Sequence, residues 1–224
     1  IYHESKPFPH IVIENFLPTS LAEDILQTFP ALDNPIWSDH GSHFVVPGGV
    51  ASKYELGHKP SFPISIREAF DKFFFNPVFI KFVSEVTGIA DLHFDYGFQG
   101  GSLSGGLNAV ETGGSLVRHA DFNFSNKLNM FRAVNILLYL NKDWSLHDGG
   151  NLDLWDKDLK GPPTTVVSSF NRCLIFATNS DTFHGYEQVL GQVVRRSLNL
   201  YLYTKSPAHR VEHTPRKTDW RPMI

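Results

Sequence analysis

Short strands separated by turns fill the chain from about Leu92 onward, and this succession constrains the fold more than any other feature. Residues 133–140 are apolar almost throughout, which predicts a strand buried in the centre of a sheet. Further alternating or apolar segments, bounded by Gly or polar turns, are residues 93–98, 151–155, 164–167, 173–176 and 197–203. Many short strands at turn-limited spacing are typical of a sandwich, jelly roll or barrel, and they disfavour an alternating βαβ sheet.

The first third of the chain is mixed and mostly helical. After one predicted strand at residues 9–14, apolar residues at helical spacing predict a helix that begins near Thr19. Two further amphipathic helices, both rich in Phe, are predicted over residues 64–75 and 77–86. Residues 37–60 are rich in Gly, Ser and His with little periodicity, so we expect a long loop there that serves as a lid or binding segment.

The chain is predicted to form a single domain, residues 1–224, because no internal repeat, low-complexity tract or clear linker divides it. A length of 224 residues suits one medium domain with a sizeable core. Within it we distinguish an N-terminal strand with supporting helices (1–91), a β core (92–205) and a basic C-terminal tail (206–224) that wraps the surface.

Composition and charge argue against several classes of protein. A net charge of −3 disfavours a nucleic-acid binder, which would carry a basic face. No apolar stretch approaches the ~20 residues that span a bilayer, so no membrane partner is expected. The single cysteine, Cys173, excludes an internal disulfide framework and fits a reducing compartment, so we expect a cytoplasmic protein. The sequence gives no indication of the oligomeric state.

Two histidines and one aspartate form a candidate metal site. Asp121 follows His119 by two residues, so on an extended segment both side chains project from the same side. A third ligand must come from another strand, and His184, sixty-five residues after His119, is the best placed. Two imidazoles and one carboxylate hold a redox-active Fe(II) ion on one face and leave the opposite face open to substrate and oxygen.

A pair of arginines follows His184 and begins an alternating strand. The segment Arg-Arg-Ser-Leu-Asn-Leu-Tyr starts at Arg195, eleven residues beyond His184. A guanidinium in this place suits the anchoring of a dicarboxylate beside the metal. Because adjacent residues of a strand face opposite sides, only one of Arg195 and Arg196 can enter the pocket.

Ordered motifs over residues 92–205 resemble the prolyl 4-hydroxylase branch of the Fe(II)/2-oxoglutarate-dependent oxygenases, which includes the hypoxia-inducible-factor prolyl hydroxylases. The motifs are His119-Ala-Asp121, Tyr-Leu-Asn-Lys-Asp-Trp at 139–144, Gly-Gly-Asn-Leu-Asp-Leu at 149–154, Phe-Asn-Arg-Cys-Leu-Ile-Phe at 170–176, His184-Gly185 and Arg195. The opening residues 8–18 are similar to bacterial members of the branch. The resemblance implies an α+β, mainly β fold, with a double-stranded β-helix (jelly roll) core and N-terminal helices packed on the larger sheet.

The same resemblance implies an activity and its cofactors. A member of this branch is a dioxygenase that binds Fe(II), consumes 2-oxoglutarate and O2, and hydroxylates an unactivated C–H bond while releasing succinate. The implied reductant is ascorbate, and the implied substrate is a prolyl residue of a protein or peptide. A free amino acid or another small metabolite remains open as the substrate.

Site roles follow from the resemblance position by position. His119, Asp121 and His184 correspond to the iron ligands, and with Arg195 they form the implied catalytic set. Arg195 resembles the residue that binds the 5-carboxylate of 2-oxoglutarate, because Arg-x-Ser-Leu matches the phase of the family. Tyr139 resembles the phenol that hydrogen-bonds the same carboxylate.

Other positions match the family less closely or differ from its usual residues. Asn199 stands where the family often has a Thr near the cosubstrate, and Arg132 resembles a basic residue at the rim of the substrate opening. The family often has a Tyr ten residues before the first metal His, and here that residue is Ala109. Asn108, beside it, is the polar residue that could replace this Tyr in contacting substrate. The interval from His184 to Arg195 is slightly longer than in the family, which keeps Arg196 as a competitor.

Two hypotheses that assign the chain to other functional classes remain open. A cupin-like zinc or manganese enzyme that hydrolyses or isomerises a sugar would turn over without 2-oxoglutarate. A non-catalytic binding module would retain the pocket without binding metal. Substrate choice is expected to depend on residues 37–60, residues 100–106 and the loop after Phe122, none of which carries a readable code.

Overall fold

The computed structural model describes residues 1–37, 41–46, 49–57, 61–94, 105–205 and 214–221. These residues form two antiparallel sheets with a shared apolar core and helices against the outer face of the larger sheet. This is the double-stranded β-helix architecture, so the predicted fold class is confirmed. Within the described residues, no helix is long and apolar enough to cross a membrane.

The larger sheet contains the long central strands. Numbered along the chain, its strands lie in the order β1 (His10–Ile13), β10 (Arg172–Ala177), β7 (Met130–Tyr139), β12 (Arg195–Thr204), β4 (Gly105–Val110), β3 (Gly49–Leu56) and β2 (Gly41–Val46). A short strand, β6 (Phe124–Ser125), also pairs with β7. Every residue of β7 is buried, as the nearly continuous apolar run at residues 133–140 predicts.

The smaller sheet faces the inner side of the larger one. Its strands lie in the order β13 (Asp219–Trp220), β5 (Leu116–Ala120), β11 (Phe183–Tyr186), β8 (Leu152–Trp155) and β9 (Thr164–Val166). Apolar residues of both sheets, among them Leu137, Phe176 and Leu154, form one buried cluster between them. Polar residues from both sheets, together with some members of this cluster, line a pocket between the sheets.

The predicted N-terminal helices pack on the outer face of the larger sheet. They are α1 (Thr19–Thr28), α2 (Ile64–Ala69), which continues as a π-helical turn (Phe70–Phe74), and α3 (Pro77–Thr87). The Asn76 side chain caps α3 by accepting from the Val78 N–H, and Gly88 ends it with a φ of 72°. Phe-rich helix faces and the outward apolar residues of β4, β7, β10 and β12 form the main core.

Because side chains alternate along β12, its polar residues face the space between the two sheets. Leu198, Leu200 and Leu202 belong to the core under the helices. The alternate residues, Arg195, Ser197, Asn199 and Tyr201, line the pocket between the sheets. A strand of period two with one apolar face and one mixed face therefore supplies the pocket wall.

Two segments differ from the prediction. Residues 37–60, expected to be a long loop, contain β2 and β3, and β3 adds to the sheet edge beside β4. The alternation Lys-Tyr-Glu-Leu at 53–56 allows this, because Leu56 is buried in the main core and Tyr54 packs at its edge. The tail 206–224 contains β13, which pairs with β5.

Some expectations fall outside the described residues. Only His93 and Phe94 of the strand expected at 93–98 are described, and His93 forms an isolated bridge with Tyr203. The segment 100–104 and most of the tail also lie outside the described residues.

Candidate active site

The three candidate metal ligands meet on the smaller sheet. His119 on β5 lies directly opposite His184 on β11, and Asp121 follows the end of β5. The Nε2 atoms of both histidines lie 3.5 Å from Asp121 oxygens, His119 from Oδ1 and His184 from Oδ2. One ligand atom from each residue lies within 4.8 Å of the other two. The arrangement is the one that the His-x-Asp spacing predicts.

The imidazoles are oriented for metal binding. Nδ1 of His119 lies 2.9 Å from the Val117 carbonyl oxygen, and Nδ1 of His184 lies 3.1 Å from that of Thr182. A carbonyl only accepts, so each Nδ1 carries the proton and each Nε2 offers a lone pair to the pocket. Burial lowers the pKa of His184 to about 4, which keeps that ring neutral and able to bind a cation near neutral pH.

Asp121 is held in the ionised state. Burial alone would raise the pKa of Asp121, but the Arg132 guanidinium and the two imidazoles outweigh it and hold the pKa well below its ordinary value. Arg132 Nη2 lies 3.1 Å from Asp121 Oδ2, and Asn135 Nδ2 donates to the same oxygen at 2.8 Å. The donor set is therefore two imidazoles that turn Nε2 to the pocket and one carboxylate, which fits Fe(II) or a similar divalent ion.

Arg195 lies in the same pocket and is held there through its Nε atom. Its Nε donates to the Gly150 carbonyl at 2.6 Å and to Ser168 Oγ at 3.2 Å. The guanidinium carbon lies 5.1 Å from the Tyr139 ring centroid and 4.4 Å from that of Tyr186. Among the described residues, no hydrogen-bond acceptor contacts the two terminal nitrogens, so a planar fork is available to a ligand carboxylate.

The charges that line the pocket leave one cation without a partner. Arg132 is paired with Asp121, and Lys53 Nζ lies 2.7 Å from Glu55 Oε2. Arg195 has no carboxylate partner within the part of the chain that the structure describes. A buried unpaired cation is costly, so the pocket is suited to one anionic ligand next to Arg195.

Two buried polar groups lack partners near this cation. Asn108 Nδ2, on the inward face of β4, and Tyr139 Oη have no hydrogen-bond partner among the described residues. Burial raises the pKa of Tyr139 to about 12, so its phenol stays protonated and can donate. Unpaired buried donors beside an unpaired guanidinium are what a bound carboxylate would satisfy.

The structure chooses between the two arginines. Arg195 is buried in the pocket, whereas Arg196 is half-buried on the other face of β12 and donates from Nη1 to the Val194 carbonyl. Asn199 lines the pocket and accepts from Ser197 Oγ at 2.8 Å. Both placements follow from strand alternation that starts at Arg195.

One sequence expectation needs correction, and a second position is clarified. Arg132, expected at the rim of the substrate opening, is 4% exposed and pairs with Asp121, because a carboxylate that is buried beside it requires a countercharge. Ala109, at the position where the family often has a Tyr, packs in the main core under the helices. Asn108 is the inward residue, since it lines the pocket and its neighbour on the strand does not.

Several residues that line the pocket or contact its histidines were not predicted from the sequence. Asn135 is polar within an otherwise apolar strand, a contrast that could have identified it, and Tyr201 follows from the alternation of β12. Lys53 lines the pocket from β3, which lies within the segment predicted to be a loop. Trp220 stacks on the His119 ring at 4.6 Å and 29°, and no sequence pattern points to this contact.

Comparisons with known proteins find one matching family model and similar curated relatives. Residues 105–203 match the model of the 2OG-Fe(II) oxygenase superfamily. Prolyl 3-hydroxylase OGFOD1 of Xenopus laevis is 32% identical over 97 residues, which cover 41% of this chain and 18% of the relative. The match thus spans about a fifth of the length of that curated relative.

Solved structures share the fold. A Pseudomonas putida prolyl-4-hydroxylase superposes with a TM-score of 0.57 at 16% identity and covers 88% of this chain and 93% of its own. HygX from Streptomyces hygroscopicus, solved with nickel and 2-oxoglutarate bound, gives a TM-score of 0.59 at 12% identity, with 95% and 92% covered. At these identities the likeness concerns the fold alone.

Proposed function

We propose that this chain, whose residues 105–203 match the model of the 2OG-Fe(II) oxygenase superfamily, is a member of that superfamily and an Fe(II)- and 2-oxoglutarate-dependent dioxygenase. One observation carries the proposal. A single buried pocket holds two imidazoles and a carboxylate in contact and, beside them, an arginine with no carboxylate partner among the described residues. The trio fits a divalent metal, and the arginine fits the far carboxylate of a dicarboxylic acid.

The residues divide the binding of metal and cosubstrate between them. His119, Asp121 and His184 would hold Fe(II), which when bound supplies the activation of O2 and the oxidation of 2-oxoglutarate. Arg195 would bind the 5-carboxylate through its two free terminal nitrogens. One oxygen atom of O2 enters the hydroxylated product and the other enters succinate, with release of CO2.

Neighbouring residues would orient the cosubstrate. The Tyr139 phenol and the Asn108 amide are buried donors without partners among the described residues, and both can donate to carboxylate oxygens. Tyr139 and Tyr186 lie on the Arg195 guanidinium and limit its movement. The positions of Tyr139 and Arg195 therefore support the role in binding the 5-carboxylate of 2-oxoglutarate that the sequence resemblance assigns to each.

For the substrate, we favour a prolyl residue of a protein or peptide. The motif resemblance to the prolyl 4-hydroxylase branch and the similarity to a prolyl 3-hydroxylase over the core support this choice. A small molecule is the second candidate, because HygX, which shares the fold, has also been solved with hygromycin B bound. The unpaired Arg195 disfavours a sugar-converting cupin, and the complete trio disfavours a vestigial binding module.

Succinate release tests the reaction class. The protein is incubated in air with 2-oxoglutarate, Fe(II) and ascorbate, and succinate is measured with and without each component. We expect succinate that depends on both Fe(II) and 2-oxoglutarate, even without a prime substrate. If neither succinate release nor 2-oxoglutarate binding is detectable, the proposed reaction is wrong.

A second assay separates the two substrate classes. A library of proline-containing peptides and a matched set of free amino acids are each offered under the same conditions. The proposal expects a mass gain of one oxygen atom on a prolyl peptide, together with faster succinate release. Stimulation by free amino acids alone would assign the enzyme to small-molecule hydroxylation.

A further inference from the structure

A bulge in β7 brings two polar side chains to one face. Arg132 and Asn135 lie three residues apart, and in a regular strand such residues face opposite sides. The pairing with β12 shifts between Leu202 and Tyr203, which oppose Val134 and Arg132. Ala133 is therefore the extra residue of a β-bulge, and the bulge turns Arg132 to the same side as Asn135.

The two side chains and Asp121 form a closed set of contacts. Arg132 Nε donates to Asn135 Oδ1 at 2.8 Å, and Asn135 Nδ2 donates to Asp121 Oδ2 at 2.8 Å. Arg132 Nη2 lies 3.1 Å from the same Oδ2. Each member of the set is thus bonded to the other two.

Aromatic rings fix the guanidinium in this position. Arg132 is 4% exposed, and its guanidinium carbon lies 3.6 Å from the Tyr201 ring centroid and 4.9 Å from that of Phe122. The planar group can neither rotate nor reach solvent without losing both ring contacts. The ring contacts therefore keep Arg132 Nε directed at Asn135 and Nη2 directed at Asp121.

We propose that Arg132 and Asn135 are positioning residues that hold Asp121 by Oδ2, so that Oδ1 is the oxygen offered to the metal. A carboxylate oxygen has about two lone-pair sites, and on Oδ2 both are occupied by these donors. Among the described residues, the donors that contact Asp121 are directed at Oδ2, and Oδ1 faces the His119 Nε2 atom at 3.5 Å. The inference rests on the metal role proposed above for the trio.

A simple countercharge role makes the opposite prediction. If Arg132 only balanced the charge of Asp121, its positive charge would repel an incoming metal ion, and its removal would strengthen metal binding at a pH high enough to keep Asp121 ionised. If it positions Asp121, its removal leaves the carboxylate free to turn, and metal binding weakens. The sign of the change in metal affinity therefore separates the two roles.

The test is a calorimetric titration of the full chain with Mn(II), without cosubstrate. We expect Arg132→Met and Asn135→Val each to weaken Mn(II) binding by about 10–100-fold, the range for lost outer-shell contacts of a metal ligand. Arg132→Lys should not restore it, since one ammonium cannot reproduce the two directions of the fork. Arg172→Met, which removes the 2.7 Å ion pair with Glu14 outside the pocket, is the matched control and should bind like the wild type.

The outcomes are distinct. Wild-type-like or tighter Mn(II) binding by Arg132→Met and Asn135→Val, with His184→Ala impaired, overturns the positioning role and leaves the proposed function standing. Failure of the wild-type protein to bind Mn(II) overturns both. Thermal unfolding of each metal-free variant shows whether it is folded. If Arg132→Met does not fold, Mn(II) binding by Asn135→Val tests the positioning role alone, because this variant keeps the ion pair and Val suits a strand.

Discussion

At the scale of single residues, two backbone carbonyls and one unpaired guanidinium determine what the pocket can bind. The carbonyls of Val117 and Thr182 fix the imidazole tautomers, which leaves two neutral nitrogens facing Asp121. Arg195 is a buried cation without a carboxylate partner among the described residues. A ligand that satisfies both must carry an anionic group at one end and metal-binding oxygens at the other.

Replacing His184 by Ala should remove metal binding and turnover together. One imidazole and one carboxylate remain, so we expect Mn(II) affinity to fall by more than the ~100-fold upper range of an outer-shell change. Calorimetry and succinate release measure the two effects. His147→Ala is the control, because this imidazole is exposed in a turn outside the pocket, and it should behave as the wild type.

Replacing Arg195 by Ala should mainly raise the concentration of 2-oxoglutarate that is required. The loss of charge-assisted hydrogen bonds costs roughly 1.5–3 kcal/mol, or about 10–100-fold in affinity. Titration of 2-oxoglutarate into Mn(II)-loaded protein checks this. Arg196→Ala should leave the affinity unchanged, and the reverse pattern would give the anchoring role to Arg196.

Residue patterns predict the inner face of a strand well and the neighbours across strands poorly. Period-two alternation starting at Arg195 correctly places Asn199 in the pocket. The same rule fails for Arg132, because the bulge at Ala133 changes the phase of β7 and no local sequence rule marks it. Lys53 and Trp220 lie far along the chain from the trio, so only the tertiary pairing of β3 and β13 brings them near.

At the scale of elements, the distance between β5 and β11 determines whether the two histidines meet. Gly185 follows His184, and a Cβ at that position would lie 2.6 Å from the Leu116 carbonyl oxygen and 3.0 Å from backbone atoms of Arg118. These neighbours are backbone and cannot move without shifting β5. The absence of a side chain at 185 thus allows the close pairing that places His184 opposite His119.

Gly185→Ala should therefore disturb both stability and metal binding. Overpacking of this kind costs about 1–3 kcal/mol, and the expected separation of the strands should lower Mn(II) affinity. Urea unfolding and Mn(II) titration measure the two effects. Gly161→Ala is the control, since its added Cβ would meet only the end of the Asp156 side chain at 3.2 Å. Unchanged values for Gly185→Ala would contradict the close-contact argument.

Element predictions succeed where periodicity is local. The helices predicted at 64–75 and 77–86 are observed as α2 with its π-helical continuation and as α3. The strand β3 was not predicted, because its neighbours are rich in Gly, Ser and His, and pairing with β2 on one side and β4 on the other stabilises it. Strands of this kind depend on their partners and not on their own pattern.

At the scale of the whole molecule, the two sheets have separate tasks. The smaller sheet carries the metal trio on β5 and β11, and the larger sheet carries Arg195, Tyr139 and Asn108 on its inner face. The helices cover the outer face of the larger sheet and do not line the pocket between the sheets. A ligand that contacts both the trio and Arg195 must therefore bridge the sheets.

A crystal structure of the protein with Mn(II) and 2-oxoglutarate tests this bridge most directly. The account predicts an anomalous Mn(II) peak bound by His119 Nε2, His184 Nε2 and Asp121, with the far carboxylate of 2-oxoglutarate on the terminal nitrogens of Arg195. A metal bound away from this trio, or a cosubstrate carboxylate held by Lys53 or Arg196 with Arg195 empty, would contradict it.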